Sequence, residues 1–326
     1  MRNFQLLKVT SPASAVAAIK KDQNAQFIAG GTNLVDLMKK NVSTPDKLID
    51  INGLQLKEIL QGEGKTRIGA LAKNSHVAED KTIMRKHPLL SLALAAGASQ
   101  QIRNMATVGG NMLQRTRCSY FYNTDLPCNK RVQDSGCGAK EGYNRMHAIF
   151  GASESCIAVH PSDMCVALAA LDAVIFTNGP KGNRQINFVD FHRLPGNSPE
   201  KDTILEHNEL ITAIEIPDHN FTKNIHYLKV RDRTSYAFAL VSVAVALDMQ
   251  NGLIADSRLA MGGVSHKPWR LNEVETFLKG KKADAGTFKE AAKLAMTGAK
   301  SYGGNDFKLT LAPNSIIEAL TIAASK

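Results

Sequence analysis

Four of the five cysteines, Cys118, Cys128, Cys137 and Cys156, fall in one polar, glycine-bearing stretch in the middle of a 326-residue chain, while the first 117 and last 161 residues have none. Thiols gathered in this way can pair as disulfides or bind zinc or an iron–sulfur cluster as thiolates. A chain this long can bury a core without the disulfide staples that small secreted scaffolds need. The intervening stretches of nine, eight and eighteen residues differ from the paired C-x2–4-C knuckles of structural zinc sites. Four thiolates on a wrapped loop can ligate a cubane cluster equally well. Spacing therefore demotes zinc without establishing iron, and two disulfides in one loop stay open. Arg115, Arg117, Lys130 and Arg131 would offset the charge of a thiolate-ligated cluster, or stand as ordinary solvated cations. Cys165, in the apolar run Met164–Leu168, reads as a buried helical thiol.

A second set of residues suits an anion. Gly30-Gly31-Thr32-Asn33 follows the apolar run Gln26-Phe27-Ile28-Ala29 and opens a helix at Leu34, while Thr107-Val108-Gly109-Gly110-Asn111 sits at a tight turn. Paired glycines reach positive φ and let backbone N–H groups approach a phosphate with no Cβ in the way. Thr32 and Asn33 add hydroxyl and amide donors, and a helix N-terminus favours negative charge. Neither loop is the G-x-G-x-x-G fingerprint or a Walker loop, and either alone reads as a plain turn. Together, with Asp163 to accept a ribose hydroxyl, they make a dinucleotide such as FAD a candidate. No side chain stands out as a general base.

These residues need elements to position them. A short amphipathic helix is expected over 12–21, with Ala15, Ala18 and Ile19 on one face. Strands are expected at 26–29, 47–51 and 67–70, and helices at 34–40, 75–86 and 88–98. After the cysteine-rich excursion, His160-Pro161-Ser162-Asp163 leads into a helix over 164–171 and a strand over 173–176. Residues 178–182 form a turn, and 209–216 alternate as a strand closed by Pro217. The polar break at 218–224 marks a domain boundary. Strands at 225–231, 237–248 and 258–264 and helices near 271–279, 287–299 and 313–324 then make a small α+β domain.

Hydrophobic content of 44% and charged content of 21% fit a globular protein. No apolar run reaches the roughly 18 residues of a membrane span. The segment Met1–Val9 is broken by charge before a signal-peptide core develops. The net charge of +10 is dispersed in short pairs, without a basic tail or nucleic-acid-binding motif. It suits an anionic cofactor or an acidic partner surface.

Phe27–Leu34, Thr107–Asn111 and Ser162-Asp163, in that order, resemble the flavin-binding pattern of the medium subunits of molybdenum hydroxylases, the xanthine dehydrogenase and carbon monoxide dehydrogenase group. The resemblance spans essentially the whole chain. In most of that family the Gly-Gly-Asn loop is followed almost directly by the Ser-Asp pair. Here an insertion holding all four clustered cysteines separates Asn111 from Ser162. This resembles flavin subunits with an extra 4Fe–4S cluster, such as aromatic acyl-CoA reductases. The stretches Gln114–Tyr122, Pro127–Arg131 and Val230–Ala239 look most like subunits of the periplasmic aldehyde oxidoreductase type.

The resemblance implies an α+β fold. A two-part FAD-binding domain of the vanillyl-alcohol-oxidase (PCMH) type would cover 1–218, with parts about 1–53 and 54–218 and an iron–sulfur insertion about 112–160. A C-terminal α+β domain of the CO dehydrogenase flavoprotein type would cover 225–326. By the same resemblance, FAD lies on Gln26, Phe27, Ile28, Ala29, Gly30, Gly31, Thr32, Asn33 and Leu34, on Thr107, Gly109, Gly110 and Asn111, and on Asp163, Ile211 and Lys229. Cys118, Cys128, Cys137 and Cys156 would ligate the 4Fe–4S cluster. The implied partners are a molybdenum-cofactor large subunit, a 2Fe–2S small subunit and an external electron acceptor, with no nucleic acid. The implied compartment is the periplasm, reached on a signal-bearing partner, with the cytoplasm as alternative. A zinc-stapled non-catalytic scaffold and a stand-alone flavoprotein oxidase are the competing readings.

Overall fold

A computed structural model describes residues 1–326. Three sheets organise the chain. The first is parallel, with strands β1 (Gln5–Lys8), β2 (Ala25–Ile28) and β3 (Lys47–Asp50) in the order β1-β3-β2. The helix Pro12–Lys20 packs on it through Ala15, Val16 and Ile19 and begins with a Ser11–Ser14 capping box, which satisfies N–H groups left free at a helix start.

The second sheet is antiparallel and contains β4 (Ile59–Gly62), β5 (Lys65–Gly69), β6 (Val174–Gly179), β7 (Gly182–Asn187) and β8 (Leu210–Pro217), in the order β4-β5-β8-β6-β7. The apolar helices Pro88–Ala96 and Asp163–Ala170 join it in the largest core cluster. The third sheet holds β9 (Ile225–Val230), β10 (Val241–Gln250), β11 (Leu253–Gly262) and β12 (Trp269–Arg270), in the order β12-β11-β10-β9. It is buried on both faces. Val241, Val243, Val245 and Leu247 face the C-terminal helices Asn272–Leu278, Ala285–Ala295 and Lys308–Ala324, while Ala244 and Ala246 join the core of the second sheet. This explains why β10 is apolar throughout instead of alternating. No helix is long and apolar enough to cross a membrane.

Several expected elements shift. The helix expected over 75–86 is two helices, Asn74–Glu79 and Lys81–Lys86, because Asp80 turns extended and caps the second through Thr82 and Ile83 N–H. The strand expected from 237 starts at Val241, since residues 231–240 form a loop in which Tyr236 has φ +52°. The next strand starts at Leu253 instead of 258. Asn251 and Gly252, both at positive φ, close a two-residue hairpin that pairs Gln250 with Leu253, as Asn-Gly commonly does. The last helix starts at Lys308 and carries Pro313 inside. The edge strands β4, β7 and β12 and the helix Gln100–Met105 lack the strong periodicity that would have marked them.

Candidate functional site

The parallel sheet delivers the first glycine loop. Strand β2 ends at Ile28, and Gly31 turns at φ +73°. A Cβ on Gly30 would collide with the backbone carbonyl of Met105, so glycine there lets this loop lie against the end of the helix Gln100–Met105. The following helix, Leu34–Lys39, has only six residues. The loop N–H groups, rather than an extended helix dipole, are therefore what this turn offers an anion. In the second loop Thr107 caps the helix Val108–Met112, its hydroxyl accepting from Gly110 N–H at 3.3 Å. Gly109 abuts Ala70.

Ser162 joins this loop to the third motif. Its hydroxyl donates to Asn111 Oδ1 at 2.8 Å and also accepts from Cys165 N–H as the cap of the helix Asp163–Ala170. The two motifs are 51 residues apart in sequence and in direct contact in space. Asp163 accepts from Tyr227 Oη through Oδ1 and from Lys229 Nζ through Oδ2, both at 2.7 Å. The Lys229 and Asp163 side chains are only 4% and 8% exposed, and Lys229 also donates to Ala96 O at 3.0 Å. Asp163 is thus already engaged twice, leaving part of a carboxylate's acceptor capacity for a ligand. Lys229 lies on the edge strand β9, yet its side chain points inward.

Three cavities open along these loops, of about 720, 320 and 200 Å³. Gly110 lines all three, Thr32 joins the first to the third, and Thr107 joins the second to the third. All sixteen residues assigned to the cofactor line one or more of them. Asp163, Lys229 and Asn111 belong to the largest, Ile211 and Gly109 to the 320 Å³ cavity, and Ile28, Gly30, Gly31, Asn33 and Leu34 to the smallest. Ile211 and Lys229 therefore sit in different arms of one branched cleft. Asn33 Oδ1 accepts from Arg115 N–H, but its Nδ2 is buried with no partner. Buried amide donors are rarely left so, and a ligand oxygen in this cleft would satisfy it. The residues fit FAD. Asn74, Arg103, Arg117, Arg233, Tyr236 and Phe238 also line the large cavity. No spacing pattern singled them out, because they come from four separate segments.

The cysteine-rich insertion folds against the glycine loop. Phe121, fully buried, packs with Cys128 on Leu37, and the Arg115 guanidinium stacks 4.7 Å from the Phe121 ring. All four clustered cysteines, with Lys130 and His147, line one small internal space, and Cys128 pairs across a β-bridge with Cys137. All five cysteines are free thiols. Burial pushes Cys118 up to about 11 and raises Cys128, while the Cys156 thiol beside Cys137 lowers that one to about 6, so holding the first two as thiolates requires added positive charge. Lys130 and Arg131 help, their charges favouring the thiolates of Cys156 and Cys128. Arg115 and Arg117 turn instead to Asp202 and Tyr122.

The chain has one trio of His, Cys, Asp or Glu ligand atoms within 4.8 Å of one another, namely His160, Cys165 and His192. No three of the clustered thiols come that close, whereas a tetrahedral zinc with Zn–S of about 2.3 Å draws its sulfurs closer than that. A cubane holds its thiolates on four separate irons, and four thiols around one space are the donor set it needs, although the Cys137 and Cys156 sulfurs lie against each other here. Cys165 is fully buried and pushed up to about 12 by burial, a core thiol as expected. A cavity of about 180 Å³ runs from Cys118 and His147 to Ser162, Asp163 and Phe238, placing Cys118 beside the large arm of the cleft.

Comparison with known proteins matches this geometry. The family model for the FAD binding domain in molybdopterin dehydrogenase matches residues 2–219, and that for the CO dehydrogenase flavoprotein C-terminal domain matches residues 226–321. The chain is 46% identical, over the full length of both, to the aldehyde oxidoreductase FAD-binding subunit PaoB of Escherichia coli. It is 29% identical to the glyceraldehyde dehydrogenase medium chain of Sulfolobus acidocaldarius, over 89% of this chain and 85% of that one. Among solved structures, a chain of quinoline 2-oxidoreductase from Pseudomonas putida aligns with a TM-score of 0.77 at 26% identity, covering 99% of this chain and 98% of its own. With both domain models matched in order and the flavin loops assembled on one cleft, the chain belongs to the FAD-binding medium subunits of the molybdenum hydroxylase family, components of aldehyde, xanthine and CO dehydrogenase-type oxidoreductases.

Proposed function

We propose that this chain is the electron-transfer subunit of a molybdenum-cofactor aldehyde oxidoreductase and carries both FAD and a 4Fe–4S cluster. Electrons reach it from a molybdenum large subunit and a 2Fe–2S small subunit and leave for an external acceptor. The observation that carries the flavin reading is the meeting of three cavities at Gly110, lined by all the motif residues. FAD, when bound, supplies two-electron acceptance and onward delivery. The chain supplies position. The N–H groups of Gly30–Asn33 would hold the pyrophosphate, which would give Asn33 Nδ2 its missing acceptor. Those of Val108–Asn111 are already bonded to Ala72 O, Ala70 O, Thr107 Oγ1 and Thr107 O and instead fix the shape of their loop. Lys229, held by Asp163, fixes a cation in the large arm, and Phe238 walls that arm. The aldehyde class follows the names of the two curated relatives.

The cluster rests on the thiols themselves, four lining one buried space with no three of their sulfurs within 4.8 Å of one another. Absorption of the purified protein, with FAD, iron and zinc quantified, tests both readings. About four irons per chain under flavin bands support them, and zinc without flavin refutes them. Cys128→Ala is expected to lose iron with the chain intact, and unchanged iron refutes the ligand assignment. Co-purification with two further subunits separates a relay from a stand-alone oxidase. The similarity of Gln114–Tyr122 and Val230–Ala239 to periplasmic enzymes supports a periplasmic complex exported on a signal-bearing partner. Fractionation that finds the complex in the cytoplasm alone refutes that location.

A further inference from the structure

Two of the four clustered sulfurs have a histidine beside them, and neither histidine ring has another polar partner. His147 Nε2 lies 3.1 Å from Cys118 Sγ, and His266 Nε2 lies 3.3 Å from Cys156 Sγ. Both rings are buried, and the Nδ1 atom of each has no hydrogen-bond partner. A buried N–H without an acceptor is costly, whereas a bare ring nitrogen leaves no donor stranded. Facing a thiolate, each ring therefore keeps its proton on Nε2 and donates to sulfur.

The two histidines are also held together. Lys308, fully buried, donates to His147 O at 2.9 Å and to Gly263 O at 2.7 Å, the latter three residues before His266. Asn305 Nδ2 adds a second bond to His147 O at 3.3 Å. One lysine of the C-terminal domain thus clamps both histidine-bearing segments over the thiols. Cys128 and Cys137 have no histidine partner, and the Cys156 sulfur lies beside Cys137.

We propose that His147 and His266 are positioning residues that donate Nε2–H bonds to Cys118 and Cys156 and raise the reduction potential of the cluster. The inference rests on the cluster reading above. A hydrogen bond to a ligating sulfur withdraws charge from the cluster and stabilises its reduced form, and such bonds are among the levers that set iron–sulfur potentials.

The test uses the intact complex prepared without oxygen, with iron quantified and the cluster potential read by EPR-monitored titration. His147→Leu and His266→Leu are each expected to shift the potential to lower values with iron retained. The Gln variants, which keep an N–H at comparable reach, are expected to recover part of the shift. Unmoved potentials in both Leu variants at full iron overturn the inference and leave the cluster assignment standing. Wild-type protein holding zinc or no iron overturns the cluster assignment and the inference with it. Should a Leu variant fail to hold iron, wild-type protein labelled with 15N-histidine decides. Its reduced cluster is expected to show two weak 15N couplings, and their absence overturns the inference.

Discussion

Lys229→Met removes the cation from the most buried ion pair of the cleft. Asp163 would keep its bond from Tyr227 but lose Lys229, with both members of the pair less than a tenth exposed. Breaking a buried pair by deleting one partner costs about 3–5 kcal/mol, because the remaining charge is stranded. Two features place this case near the lower bound. Tyr227 still donates to the carboxylate, and Ala96 O still accepts from Arg231 at 3.2 Å. At roughly 2 °C per kcal/mol for a chain of this size, the expected fall in melting temperature is about 6 °C. The pair also ties β9 of the C-terminal domain to the Asp163–Ala170 helix of the FAD domain. Two probes can follow it: bound-flavin fluorescence for the FAD domain, and the single tryptophan, Trp269, stacked on Phe150, for the C-terminal domain. In Lys229→Met the two transitions are expected to fall and to separate. Adding Asp163→Asn removes the stranded charge and should recover a coupling of about 0.5–3 kcal/mol. A single variant melting within 1 °C (on the order of 0.5 kcal/mol) of wild type, or a double variant less stable than the single, refutes the reasoning.

Three further outcomes follow from the same geometry. Gly30→Ala drives a Cβ into the Met105 carbonyl and is expected to cost about 1–3 kcal/mol and to release FAD on gel filtration; retained flavin at wild-type stability contradicts it. Asp202 is pulled up by burial, but the charges of Lys130 and Arg115 outweigh this and hold it at about 2. Asp202→Asn therefore strands the buried Lys130, and limited proteolysis should cut the insertion first, with wild-type resistance as the contrary result. Burial drives His87 and His192 down to about 4 in the fold, against an ordinary value near 6.5. The unfolded chain takes up these protons first, so stability is full above about pH 6.5 and falls toward pH 4. Each histidine contributes at most about 1.4 kcal/mol per pH unit. Urea unfolding between pH 7 and 4.5 should show this slope and a shallower one in His87→Gln, and an unchanged slope in that variant rules His87 out.

The elements with strong local signals were legible from the chain. The Pro12–Lys20 helix is amphipathic, β8 is bounded by a proline, and the apolar Pro88–Ala96 helix ends at Gly97. Elements defined by a neighbour were not. β12 exists only because Trp269 and Arg270 pair with β11, and β4 only as the edge beyond β5. The start of β11 was missed although Asn251-Gly252 is a strong hairpin signal. The last helix starts at Lys308, whose ammonium reaches carbonyls in two distant segments, contacts that no window of sequence contains.

The sequence by itself determined which residues could do chemistry: two glycine loops, a Ser-Asp pair and four thiols in an insertion. Those are choices of residue type, since glycine takes the positive-φ turn at Gly31 without steric cost and only cysteine supplies a soft anionic ligand. Tertiary structure alone decided how they work together. It set Lys229 on Asp163 across 66 residues, joined Asn111 to Ser162 across the insertion, and aimed His147 and His266 at two of the four sulfurs. The reason is physical. A buried charge or donor must find a partner wherever the packed elements bring one, and that partner's place in the sequence is set by the fold rather than by any local pattern.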